Sequence, residues 1–263
     1  MLEKFRIAKQ REVDMLHKAE SKGTLPAPYA GVRPSFADAI RRDDLGMKVI
    51  AEYKRASPSK GDINLGLTAS EVSNMYAGGG ASAISVLTEE QYFKGNISYL
   101  DEIKSCGLPM LRKDFLVDPL QIVQTASTPA SALLIIVRMF ADDGLLKEMI
   151  DKTHEAGLDG VVEAFDMTDL IRAKKAGARV IQINNRDLDT LGIDMSRSVD
   201  FIKERDDSEI WICASGINEP DDCIKMAELG YDSVLVGTSI MSSASPQDKL
   251  SSLVAGAKCG ALR

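Results

Sequence analysis

A chain of 263 residues with 32 Lys and Arg against 39 Asp and Glu carries a formal net charge of −7, which leaves no basic stripe for a nucleic acid. Any anionic ligand must therefore be held by a local site. Hydrophobic residues make up 44% and charged residues 27%, the balance of an ordinary globular protein, and no apolar run approaches the roughly 20 residues of a membrane helix.

The opening Met-Leu-Glu-Lys-Phe-Arg lacks the apolar core of a signal peptide, so a cytoplasmic protein is expected. Residues 1 to about 21 pattern as a charged helix, with Leu2, Phe5, Ile7, Val13 and Leu16 as candidate contacts to the body. The stretch from Ser21 to Gly46 contains Pro26, Pro28 and Pro34, then a short helix around Phe36 to Arg42. The first 47 residues are too short to bury a core of their own, and we read 1–47 as an N-terminal helical extension packed on the body of the molecule, within a single domain.

From Val49 onward a short apolar strand, a polar loop and an amphipathic helix recur. The strand candidates are Val49 to Tyr53, Ala83 to Leu87, Met110 to Arg112, Ala132 to Val137, Gly160 to Glu163, Val180 to Asn184, Ile210 to Ala214 and Ser233 to Gly237. Their starts lie about 20 to 35 residues apart, the length that a strand, a loop and a crossover helix require together. Helices end in Ala-Gly at 77–78, 156–157 and 176–177, Cys-Gly at 106–107 and Leu-Gly at 229–230, where a left-handed glycine cap is expected. The helix after the seventh strand opens Asn-Glu-Pro-Asp-Asp, a capping residue followed by proline and acids. Eight such units, with no Gly-x-Gly-x-x-Gly after any strand, predict an α/β fold of the closed (β/α)8 TIM barrel type over 48–263 rather than an open dinucleotide-binding sheet. In such a barrel the site is built from the carboxyl ends of the strands.

Those ends are rich in chemistry. The first strand gives Glu52 and Lys54, which period-2 spacing places on one face, with Ser57 in the loop beyond. The third gives Lys113, the fifth Glu163, and the sixth Asn184 and Arg186. Lysines at the first and third strand ends suit either a Schiff-base nucleophile or a general acid, and Glu52 and Glu163 are candidate bases. Lys113 could instead simply pair with Asp114. Phe115, with apolar neighbours such as Leu87 and Leu133, suits a flat apolar ring, or is an ordinary packing residue. The small turns after the last two strands, with Ser215, Gly216, Gly237 and Thr238, match the phosphate site this fold often builds, where backbone N–H groups approach an oxyanion. The alternative is that these glycines only make tight turns.

Four cysteines, Cys106, Cys213, Cys223 and Cys259, lie far apart with no Cys-x-x-Cys pair and read as reduced structural thiols, so no metal site is expected. The only histidines, His17 and His154, fall in helical patterns and are expected to face solvent, which leaves acid–base work to Lys, Glu and Asp.

Five stretches, Ala-Glu-Tyr-Lys-Arg-Ala-Ser-Pro-Ser, Ile-Ser-Val-Leu-Thr-Glu with Tyr-Phe close behind, Leu-Arg-Lys-Asp-Phe, Ile-Asn-Asn-Arg-Asp-Leu and Val-Gly-Thr-Ser, resemble in sequence and order the motifs of the indole-3-glycerol-phosphate synthase family of tryptophan biosynthesis. The resemblance runs from about residue 49 to 242. It implies ring closure of 1-(2-carboxyphenylamino)-1-deoxyribulose 5-phosphate to indole-3-glycerol phosphate, with loss of carbon dioxide and water and without a cofactor. It implies Lys113 as general acid, Glu163 as base in the later dehydration, and Lys54 as the group that steadies the substrate carboxylate and shares proton transfer. Glu52 and Asn184 would hold these groups, Ser57 would line the mouth, and Arg186, Ser215, Gly216, Gly237 and Thr238 fall where the family binds substrate and phosphate. The partner implied is a small phosphorylated molecule, with neither nucleic acid nor membrane, and a monomer or weak homo-oligomer is expected.

Three strands depart from the family pattern. Ala214-Ser215-Gly216 stands where the family usually reads Glu-Ser-Gly, Gln182 where it has glycine, and Ala164-Phe165 where it continues Val-His. Alternation puts Gln182 on the inward face with Asn184, and its side chain is expected to fill part of the space left by the absent glutamate. Other readings are a Schiff-base aldolase or a phosphoribosylanthranilate isomerase-like enzyme on the same barrel, or a non-catalytic phosphometabolite-binding protein.

Overall fold

Strands buried on both faces, one toward a barrel interior and one toward helices, read as continuous apolar runs, and eight of them form the centre of this molecule. The computed structural model describes residues 2–188 and 190–259; Met1, at the head of the expected first helix, and residues 260–263, at the end of the expected barrel segment, lie outside the described residues. The strands are β1 (Lys48–Tyr53), β2 (Ala83–Leu87), β3 (Met110–Lys113), β4 (Ala132–Ile136), β5 (Asp159–Ala164), β6 (Val180–Asn184), β7 (Ile210–Ala214) and β8 (Ser233–Val236). They follow one another around a closed parallel barrel, and β8 pairs back to β1 through Lys48↔Ser233 to Ala51↔Val236. Each bound falls within one residue of the expectation. Val137 opens a 3₁₀ turn instead of ending β4, and Gly237 caps the next helix instead of ending β8.

The helices are α1 (Leu2–Ser21), α2 (Phe36–Ile40), α3 (Ala69–Gly78), α4 (Tyr99–Ile103), α5 (Leu120–Ala126), α6 (Asp143–Glu155), α7 (Met167–Lys175), α8 (Ser196–Phe201), α9 (Pro220–Leu229), α10 (Thr238–Met241) and α11 (Pro246–Cys259). Side-chain oxygens cap several of the starts: Thr68 forms a capping box with Glu71 on α3, and Asp142 and Asp166 open α6 and α7. At α9 the capping residue is Glu219, ahead of Pro220. Gly107, Gly157, Gly177 and Gly230 take the left-handed conformation. At α3 the expected position is corrected, because Gly78 stays helical and the positive φ falls two residues on, at Gly80.

The extension is fastened by one face of α1, where Phe5, Lys9, Val13 and Leu16 are buried at helical spacing. Ile7 lies off that face and is 69% exposed, contrary to expectation. Lys9 reaches Asp114 at 2.7 Å and Glu12 at 2.8 Å. Arg112, fully buried, meets Glu12 at 2.9 Å and Asp114 at 3.1 Å. Asp114 thus pairs with Lys9 and Arg112, not with Lys113. His17 is exposed and bonded to Asp118, whereas His154 is half-buried rather than solvent-facing. All four cysteines are free, and among the described residues no helix is long and apolar enough to cross a membrane.

Candidate active site

The carboxyl ends of the barrel strands open into a cavity of about 410 Å³, within the range of small-molecule sites. All twelve residues singled out from the sequence line it: Glu52, Lys54, Ser57, Lys113, Phe115, Glu163, Asn184, Arg186, Ser215, Gly216, Gly237 and Thr238. Strand alternation explains the convergence, since each charged residue sits at the last inward position of its strand or just beyond it.

On β1, Lys54 Nζ meets Glu52 Oε1 at 2.7 Å. Glu52 Oε2 is buried and has no hydrogen-bond partner among the described residues. Beyond the strand, a small hairpin (56–57 with 61–62) carries Ser57, whose hydroxyl accepts from the Lys60 backbone N–H at 3.2 Å. On the far wall, Glu163 Oε2 receives three donors among the described residues: Lys113 Nζ at 3.5 Å, Asn184 Nδ2 at 3.2 Å and the Gln182 amide. Asn184 Oδ1 in turn accepts from Ser215 Oγ at 2.9 Å and from the Arg186 backbone N–H at 3.0 Å. One asparagine therefore ties the ends of β6 and β7 to the acid of β5. Burial lowers the pKa of Arg186, with Glu52 opposing the shift, and its guanidinium donates to Leu191 O at 2.9 Å.

The turns after β7 and β8 bring backbone to the rim. Ser215 and Gly216 both have positive φ, 66° and 95°, a conformation costly for serine. A Cβ on Gly216 would run into Met195, with Ile193 Cγ2 at 3.1 Å, and one on Gly237 would strike the Glu52 side chain, whose Cβ and Cδ lie 3.0 Å away. Close approach is thus required at both glycines.

The apolar end of the cavity corrects and extends the sequence reading. Leu133 points outward; the strand's lining residues are Leu134 and Ile136, one position out of phase. Phe115 stacks on Phe5 of α1 with ring centroids 3.7 Å apart at 10°, and Phe93 lies 5.9 Å from Phe115. Glu89 holds the Phe93 loop by accepting the backbone N–H groups of Gln91, Tyr92 and Phe93. Phe5 and Phe93 are absent from the sequence candidates for the site; only the buried face of α1 and the Tyr-Phe after the second strand signal them.

The Gln182 side chain faces inward, as alternation predicts, and its amide is directed by Glu163. Ala214 lines the cavity and Gln182 does not, being wholly buried with its amide turned toward Glu163, its register neighbour on β5. The buried carboxylate draws the donor away from the strand-seven side.

A family model described as indole-3-glycerol phosphate synthase matches residues 2–253. The chain is 41% identical over 212 residues to the indole-3-glycerol phosphate synthase of Aquifex aeolicus (strain VF5), covering 80% of this chain and 82% of that one. It is 38% identical over 224 residues to the enzyme of the same name from Methanothermobacter marburgensis, covering 85% and 79%. Among solved structures, 3-hexulose-6-phosphate synthase from Salmonella typhimurium aligns with a TM-score of 0.64 at 18% identity, over 81% of this chain and 100% of that one, a likeness of fold alone.

Proposed function

The chain belongs to the indole-3-glycerol phosphate synthase family, and from that premise we propose how its residues divide the reaction. As a carboxy-lyase it closes 1-(2-carboxyphenylamino)-1-deoxyribulose 5-phosphate to indole-3-glycerol phosphate in tryptophan biosynthesis. The observation that supports this most is the pairing of Lys113 with Glu163 at 3.5 Å on one wall of a cavity whose opposite wall carries the Lys54–Glu52 pair.

The aryl carbon bearing the carboxylate attacks the ketone carbon while Lys113, as an ammonium, gives its proton to the ketone oxygen. Carbon dioxide then leaves and the ring regains aromaticity. Loss of the new hydroxyl as water, with Lys54 giving a proton to the leaving oxygen and a ring proton passing to Glu163, completes the indole. Such acid and base groups contribute about 10²- to 10⁴-fold each. Lys54, steered by Glu52, holds the substrate carboxylate; Asn184 holds Glu163. The phosphate lies against the backbone of Gly216, Gly237 and Thr238 beside Ser215 and Arg186, with Ser57 at the mouth. The substrate's aromatic ring faces Phe115 and the apolar lining. The reaction calls for no cofactor and no metal, and we place the protein that performs it in the cytoplasm, as a monomer or weak homo-oligomer.

Ala214 supports the contrasting reading of a phosphometabolite-binding protein without turnover, since the strand-seven carboxylate expected from the resemblance is missing. The deciding experiment follows indole fluorescence after adding 1-(2-carboxyphenylamino)-1-deoxyribulose 5-phosphate to the purified protein. Steady product formation is expected; tight binding without fluorescence gain overturns the synthase reading.

A further inference from the structure

Gln182 is an anomaly of polarity. It occupies an inward position of β6 with no exposed surface, flanked in register by Glu163 on β5 and Ile212 on β7. A buried amide is unfavourable unless its donors and acceptor are used. An ionised carboxylate can only accept, so Nε2 must face Glu163, and Oε1 is left buried without a hydrogen-bond partner among the described residues. Packing alone does not account for a glutamine that orphans its own acceptor. What it does to Glu163 does.

The three donors on Glu163 Oε2 are unequal. Lys113 stands off at 3.5 Å and, in the proposed reaction, is the group that gives its proton away. Asn184, at 3.2 Å, is shared with Ser215 and Arg186 at the rim. Gln182 has Glu163 as its sole side-chain hydrogen-bond partner among the described residues and approaches from inside the barrel, away from the cavity lining. We propose that Gln182 is a positioning residue of this active site: its amide pins Glu163 Oε2 throughout turnover and so keeps Oε1 turned to the ligand for proton removal. The inference rests on the synthase reading and on the role given there to Glu163.

The test compares Gln182→Met, which keeps the length and removes the donor, with the parent in steady-state turnover of 1-(2-carboxyphenylamino)-1-deoxyribulose 5-phosphate, alone and combined with Glu163→Gln. A misplaced base costs on the order of 10²-fold, so kcat should fall about 10- to 100-fold, with KM altered by less than about threefold and Tm maintained. On the Glu163→Gln background the same change should have no further effect on kcat, because Gln182 acts only through that carboxylate. Independent, multiplicative losses, or an unchanged kcat in Gln182→Met while the parent turns over, overturn the Gln182 role alone. A parent that makes no indole product overturns the synthase reading and this role with it. Gln182→Leu, equally without a donor, replaces Gln182→Met should the latter not fold.

Discussion

Arg112 and Lys113 are consecutive on β3, yet they belong to opposite kinds of electrostatics. Arg112 faces outward into a closed cluster in which Lys9, Glu12, Asp114, Thr88 and Gln121 satisfy one another at 2.6 to 3.1 Å. Lys113 faces inward, with one acid among the described residues at 3.5 Å and an open cavity in front of it. The outward cluster is saturated and pins α1 to the barrel. The inward group is left with donors to spare, and that spare capacity is what a ligand can use. Charge content alone would not separate the two; the number of unmet hydrogen-bonding positions does.

Substitutions on each side of the strand should therefore fail differently. Lys113→Met is expected to lower kcat by about 10³- to 10⁴-fold, equivalent to roughly 4–5 kcal/mol of barrier, while product affinity and Tm stay close to the parent's, as read by fluorescence titration and thermal melting. A mutant that melts far earlier would blur the contrast. Asp114→Ala removes the fully buried one of the two carboxylates that Lys9 and Arg112 share, leaving them Glu12 alone, and should cost about 3–5 kcal/mol of stability, measured by urea unfolding. Its kcat loss should trace to disturbed Phe5 and Phe115 rather than to proton transfer, which a pH–rate profile parallel to the parent's would establish.

Acid sharpens the same comparison. Burial pushes the Asp114 carboxyl up, but Lys9 and Arg112 outweigh it and hold its pKa at about 2. A carboxylate depressed in the folded state stabilises the fold above its ordinary pKa near 3.8, and that contribution is lost as pH falls from there toward 2. Melting scans should show α1 contacts weakening in that window, and the acid sensitivity should be smaller in Asp114→Asn. At the exposed end of α1 the smallest effect is expected. Asp118 raises the pKa of His17, so the contact contributes below pH 6.5 and fades as pH rises above it. His17→Gln should lower Tm only slightly below pH 6.5 and leave it unchanged well above, as befits a solvent-exposed pair.

The barrel is legible in the sequence because its signals are local. Eight apolar runs, the glycines after helices and the Asn-Glu-Pro-Asp-Asp stretch that opens α9 each declare themselves within a few residues. The charged site residues are legible for a related reason: once a strand's end is placed, its last inward side chain is at the rim. What escapes depends on distant pieces of chain meeting. Phe5 reaches the cavity only because α1 folds over β3, more than a hundred residues away in sequence. Leu133 is mistaken for Leu134 because β4 is apolar at every position, so alternation leaves no phase to read. Gln182 falls on the expected inward face, but its bond to Glu163 escapes, since hydrogen-bond direction is set by the neighbouring strand and not by the strand's own pattern.

The contact between Gly237, the residue just past β8, and Glu52 joins the exit of the final strand to the first strand. During synthesis, Glu52 and Lys54 leave the ribosome long before β8, and until that strand docks, Glu52 has no wall on its outer side and β1 no closing neighbour. Catalytic competence should consequently arrive in one step near completion of the chain, and nascent fragments ending short of residue 237 should bind no substrate however well their earlier helices have formed.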